Sequence, residues 1–145
     1  MAADARSCIR TWLNLHLDNS NLTEDDGSTQ VSFIIAYAFP DYPLERVFKD
    51  KGVDLVFSLG TPESEALPVG VGYIENVPIT MCCVDKTGIT GNKLRWKAEA
   101  ELRRITENYP EGSLYALSRL SDSEERLGST VLYSVTYTMR YKRYA

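Results

Sequence analysis

The chain has 145 residues, 43% of them apolar and 25% charged, which suits one globular domain spanning 1–145 and excludes both a disordered tail and two independent cores. Its net charge of −4 and isoelectric point near 5.0 weigh against gripping a nucleic-acid backbone as a main task. No apolar run approaches the ~20 residues of a membrane helix, and the start, MAADARSCIRTWLNL, lacks the pattern of a secretory leader, so synthesis in the cytoplasm with reduced thiols is expected.

Residues 3–16 predict a helix, because Ala5, Cys8, Ile9, Trp12, Leu13 and His16 draw one apolar stripe. The polar, acidic stretch 17–30 predicts an exposed connection. VSFIIAYAF (31–39) is a mostly apolar β-rich run and predicts a well-covered strand, ended by Pro40 and Pro43. Residues 40–52 follow no single pattern, 53–60 alternates as a strand with Val53, Leu55, Phe57 and Leu59 on one face, and 61–70 predicts a loop. The next strand, 71–85, contains Pro78, which cannot donate to a ladder and so signals an edge, a bulge or a break.

A turn at 86–91 leads to a second helix, 92–109, halted by Pro110 and Gly112. Leu94, Ala98, Leu102, Ile105 and Tyr109 form its sheet-facing stripe. Trp96 lies about 160° from the centre of that stripe at 100° per residue, on the side of Ala100, Arg103 and Glu107. Tryptophan and arginine on an outer face are the residue types of interface anchors. A strand at 113–120 and a polar turn precede the long terminal strand, where Val131, Tyr133, Val135, Tyr137, Met139 and Tyr141 alternate with polar residues. At roughly 3.3 Å per residue this last run reaches about 50 Å, more than the roughly 38 Å breadth of such a domain. Its distal end, Met139, Arg140, Tyr141, Lys142, Arg143 and Tyr144, is therefore expected to serve a neighbouring subunit or partner. The order α-β-β-β-α-β-β predicts an α+β fold, with an antiparallel or mixed sheet, an N-terminal and a central helix packed on it, and a long C-terminal strand.

Catalytic and metal motifs are not assembled by this sequence. Cys82 and Cys83 are adjacent, which sends them to opposite faces of a strand, and a single histidine, His16, cannot complete a zinc set. No nucleophile elbow is present, and DKTGITGNK (85–93) lacks the spacing of a phosphate-binding loop. The sequence reads as that of a non-enzyme without metal or cofactor. A basic cluster with an aromatic (Lys93, Arg95, Lys97, Arg103, Arg104 and Trp96), or the tail Arg140, Lys142 and Arg143 with Tyr141 and Tyr144, leaves a small single-stranded nucleic-acid-binding module as a lesser alternative, though Glu99, Glu101 and Glu107 interrupt the first cluster.

The run YIENVPITMCCVDKTGITGNKLRWKAEAELRRI (73–105) passes from a middle strand through an Asp-Lys turn into the central helix. LSDSEERLGSTVLYSVTYTMRYKRY (120–144) then leads into a long strand with a basic-aromatic end. In this layout the chain resembles the tail-terminator (tail-completion) proteins of long-tailed bacteriophages and the related neck proteins. The resemblance implies a virion protein of the tail or neck, made in the host cytoplasm, that forms a homo-oligomeric ring, commonly a hexamer. Such a ring caps the tail tube and meets the head-side connector, and DNA passes through its lumen without specific binding. A head-closure or adaptor protein of the same neck is the alternative of closest kind.

Overall fold

The structure, a computed structural model, describes residues 5–18, 22–36, 48, 52–66, 72–108, 114–127 and 129–143. Its elements run α1 (Ala5–Asp18), β1 (Phe33–Ala36), β2 (Leu55–Leu59), β3 (Glu63–Ala66), β4 (Tyr73–Val84), α2 (Gly91–Asn108), β5 (Leu114–Leu127) and β6 (Thr130–Arg143). The fold is α+β, with a mixed 6-stranded sheet ordered β1-β2-β4-β6-β5 and β3 paired beside β2 on β4. Among the described strands only β1 and β2 run parallel. All other neighbours are antiparallel.

Both helices lie on one face of the sheet. The stripe of α1 buries Ala5, Ile9, Trp12, Leu13 and Leu17, and that of α2 buries Leu94, Ala98, Leu102 and Ile105. Tyr109, the last member expected in the second stripe, lies outside the described residues. These side chains meet Leu55, Phe57 and Leu59 of β2, Val77, Ile79, Met81 and Cys83 of β4, and Val135, Tyr137, Met139 and Tyr141 of β6 in one core. Alternation sends the intervening residues to the other face. There Val56, Cys82, Val84 and Leu132 form a smaller cluster with Phe48 and Val53. The rest of that face carries hydroxyls, including a Thr80–Thr136 contact at 3.3 Å and a Ser123–Ser134 hydrogen bond at 2.7 Å. The two adjacent cysteines thus belong to separate clusters, and burial pushes both thiols up to about 12.

Five expectations are corrected. Residues 63–66, expected within a loop, form β3. They add to the part of β4 that β2 does not reach, and ESEA has no apolar alternation to betray a strand exposed at the sheet's edge. The polar stretch after residue 120, expected as a turn, continues β5 to Leu127, because the outer strand of a hairpin can be solvated on both faces and still pair. β1 is an edge strand with only Ile35 buried, less covered than its composition suggests, and 37–39 fall outside the described residues.

Pro78 sits in a central strand, not at an edge or break, opposite Thr138 of β6. Its carbonyl accepts from Gly60 N at 2.8 Å. Since the N and C=O of one strand residue point the same way, its missing donor also faces Gly60. That is the gap between the last β2 partner, Ile79, and the first β3 partner, Asn76, so the ladder to β6 stays intact.

The terminal strand does not outrun its own sheet. β4 pairs with β6 from Val84↔Leu132 to Tyr73↔Arg143, and β5 pairs with it as far as Tyr141. The length estimate failed because the neighbouring strands are as long, with 12 and 14 residues against 14. Met139 is 1% exposed and Tyr141 8%, so both are core residues of their own subunit. Replacing Met139 by alanine is expected to cost about 2–4 kcal/mol in urea denaturation. Deleting 139–145 should unfold the chain by circular dichroism, and a deletion mutant that keeps the wild-type melting temperature would contradict this packing.

Candidate assembly interface

The turn into α2 is fixed by side-chain carboxylates. Asp85 Oδ1 accepts from Gly91 N at 2.6 Å, and Asp25 Oδ2 accepts from Thr90 N at 2.7 Å. The two amides that a phosphate would seek are therefore occupied, and the glycine-containing turn acts as a helix start. Gly91 has a packing reason too: a Cβ there would lie 2.5 Å from Tyr133 Cδ2. Lys86 Nζ reaches the Val53 carbonyl and Asp54, which ties the turn to the segment entering β2.

α2 is then fastened sideways. Glu99 is only 9% exposed and Arg95 only 5%. The Glu99 Oε1 atom accepts from Arg119 Nε at 2.7 Å and from the Tyr137 hydroxyl at 2.6 Å. Arg95 lies 4.0 Å from Glu99 Oε2 and 3.5 Å from Asp122 Oδ2, and Arg119 closes the ring of charges onto Asp122 at 3.0 Å. Two cations and two carboxylates from α2 and β5, with a phenol from β6, make one network. Its hydrogen bond from Arg119 holds the Asp122 carboxyl below the usual range. Burial, followed by the neighbouring Glu99 carboxylate, pushes the Tyr137 phenol up to about 12.

This fastening leaves the opposite face of the helix to solvent. Trp96 is 64% exposed, and Ala100, Arg103 and Glu107 are exposed with it. An open groove of about 210 Å³ is lined by Trp96, Glu99, Ala100 and Arg103. The helix half of the sequence-based set is thus brought together, and the strand half is not joined to it. Met139 and Tyr141 face the core under the helices. Arg140 lies on the other face of the sheet, with its guanidinium 2.7 Å from Glu65, and Lys142 shares that face opposite Ile74. The backbone of Arg143 closes β6 opposite Tyr73, and Tyr144 lies outside the described residues.

The sequence reading overlooked Leu120, which is 62% exposed at the register shift between Arg119 and Ser121. A lone leucine in a run of polar residues is its only mark in the sequence. The basic cluster disperses in the fold: Arg95 is buried in the network, Lys97 reaches the carbonyls of Thr23 and Glu24, and Arg104 pairs with Glu101 at 2.9 Å. Among the described residues no group of three or more histidine, cysteine or acidic side chains is placed to hold a metal ion, and no helix is long and apolar enough to cross a membrane.

No family model and no curated protein matches the chain. Among solved structures it is similar to a chain of the virion of a native gene transfer agent particle, at 15% identity and a TM-score of 0.48, over 97% of this chain and 100% of that one.

Two tests separate the fastened side of the helix from the free one. Replacing Glu99 by alanine takes the acceptor from Arg119 and from the buried Tyr137 hydroxyl and should cost about 3 kcal/mol in urea denaturation, the low end of the range because Arg95 keeps Asp122 and Arg119 keeps solvent contact. Replacing Arg103 by alanine should move stability by no more than about 0.5 kcal/mol. The Tyr137 phenol has a native pKa above its ordinary value, so its contribution is whole below pH ~10 and is lost as pH climbs towards about 12. Wild-type stability should fall more steeply over that interval than that of a Tyr137→Phe chain, and parallel curves would remove the phenol from the network.

Proposed function

We propose that this chain is a structural virion protein, the tail terminator of a phage-type particle. It forms a ring, a hexamer in this reading, that caps the tail tube and joins it to the head-side connector. Its partners are further copies of itself, the tube protein and the connector, with DNA passing through the lumen. The observation that carries the reading is the outer face of α2, where Trp96 stands 64% exposed beside Ala100 and Arg103 on a helix otherwise fastened on every side. Exposed tryptophan with arginine at its rim is the composition of an anchor that another surface covers. The resemblance of 73–105 and 120–144 to tail terminators supplies the setting in which that surface is another subunit.

The role requires no catalytic step and no cofactor. Nucleic-acid binding as the main task is less well supported, because Arg95, Lys97 and Arg104 are engaged within the chain. A net charge of −4 likewise presents little to hold DNA in transit.

Labelled antibody or averaged electron images of particles test the reading. The protein should occupy one ring at the head-proximal end of the tail tube. A position on the head side of that ring would make it a head-closure or adaptor protein, while a single copy, or copies spread along the tube, would refute the ring role altogether.

A further inference from the structure

The two flanks of α2 differ in charge and in what they expose. On the β5 side, α2 is joined to β5 through the Glu99–Arg119 hydrogen bond. Trp96 shares a groove with Glu99, and Leu120 directly follows Arg119. Arg103 lines the same groove, exposed and with no ion pair among the described residues. On the far flank Lys97, roughly 160° around the helix from Glu99 at 100° per residue, reaches the Thr23 and Glu24 carbonyls at 3.3 and 3.4 Å. That segment leads into a turn that displays Asp25 and Asp26.

The turn is rigid. Asp26 Oδ1 accepts from Ser28 N at 2.9 Å and Thr29 N at 2.8 Å, and its Oδ2 accepts from the Thr29 hydroxyl at 2.5 Å. The side-chain bond to Thr29 and the amides of Ser28 and Thr29 hold the Asp26 carboxyl at about 2. Asp25 is pinned to Thr90 at the start of α2, and Gly88 O accepts from Asp25 N. Both carboxylates are exposed and fixed in position.

We propose that the groove of one copy lined by Trp96, Ala100 and Arg103 receives the acidic turn around Asp25 and Asp26 of a second copy. The occupant is a second copy because the chain carries both halves of a complementary pair. One is the exposed Trp96–Ala100 surface with Arg103 at its rim and Glu99 already neutralised by Arg119, and the other is a preformed carboxylate turn on the opposite flank of the same helix. The two halves are different surfaces, so the contact is head-to-tail. Each added copy presents a fresh flank, and the chain of contacts closes into a ring when the rotation between copies permits. Backbone pairing along β5 is disfavoured as the joint, since that edge carries a register shift at Leu120 and the charges Arg119, Asp122, Glu124, Glu125 and Arg126. The contact rests on the ring reading above and supplies its joint.

Cysteine cross-linking in a Cys8→Ser background tests it, Cys82 and Cys83 being buried. One preparation carries Ser28→Cys and another Ala100→Cys; both positions are exposed, and neither side chain has an ion pair or hydrogen bond among the described residues, so Arg103 stays in place to meet the turn. A disulfide forms only where the two Cβ atoms approach to about 3.5–4.5 Å. On mixing and mild oxidation, every cross-linked dimer should contain one chain of each kind, and a single chain carrying both substitutions should give a ladder of oligomers. Adding Trp96→Ser should abolish the cross-link while leaving circular dichroism unchanged. Equal cross-linking in the unmixed preparations would make the contact symmetric and overturn the proposal. A chain that stays monomeric by sedimentation at the highest attainable concentration, or one that associates without this cross-link, would also overturn it. A ring imaged at the tail end without the cross-link sinks the contact but spares the terminator reading, while the cross-link in a protein missing from tails does the reverse.

Discussion

The carboxylate of Glu99 decides how the rest of this molecule is arranged. Buried under α2, it takes hydrogen bonds from β5 through Arg119 and from β6 through Tyr137, and lies beside Arg95 of its own helix. A helix held to a sheet by apolar contacts alone can roll by some degrees with little loss. A helix held by a carboxylate with two directed donors at 2.6–2.7 Å cannot. Fixing the roll fixes which residues look outward, and so Trp96, Ala100 and Arg103 form one face. The arrangement has a cost, since the Arg95 Nε atom is buried without a hydrogen-bond acceptor.

The sheet beneath depends on the pairing of β4 with β6. Each of these central strands is covered on one face by the helices, and their alternation into Val77, Ile79, Met81 and Cys83 on one strand and Val135, Tyr137, Met139 and Tyr141 on the other is what the helices pack against. A slip by one residue would turn both sets toward the hydroxyl face, so the burial pattern pins the register. Pro78 fits because its missing donor points to the space between β2 and β3, where Gly60 supplies the only backbone bond needed.

Elements with one dry and one wet face were legible in the sequence. Both helices and β6 carry a period that only one structure satisfies, while β2 and β4 were legible as apolar β-rich runs although β2 is buried on both faces. β3 and the second half of β5 were not, because strands solvated on both faces have no period to read and are held by the backbone of a neighbour. The distal end of β6 was misjudged on length alone, a quantity that says nothing until the lengths of its partners are known. Trp96 could be placed from the helical wheel. Leu120 could not, because a register shift decides which way it points. The burial of Arg95 and Glu99 ran against their chemistry and became visible only once Arg119 and Asp122 were seen beside them.

The pairing of β4 with β6 also bears on how the chain reaches this state. Partners across that seam are separated by between 48 residues, from Val84 to Leu132, and 70, from Tyr73 to Arg143, whereas β5 and β6 meet across a tight reversal. Closing a long loop before any contact rewards it slows folding, and local hairpins form in roughly 1–10 μs. The β5–β6 ribbon is thus the part able to exist early, with β4 arriving last at its inner edge. Until then the apolar residues of β6 have no cover, and a newly made chain is most open to wrong partners in that interval. A pulse of hydrogen exchange during refolding would show the ribbon's amides protected ahead of the β4 seam if this order holds, and simultaneous protection if it does not.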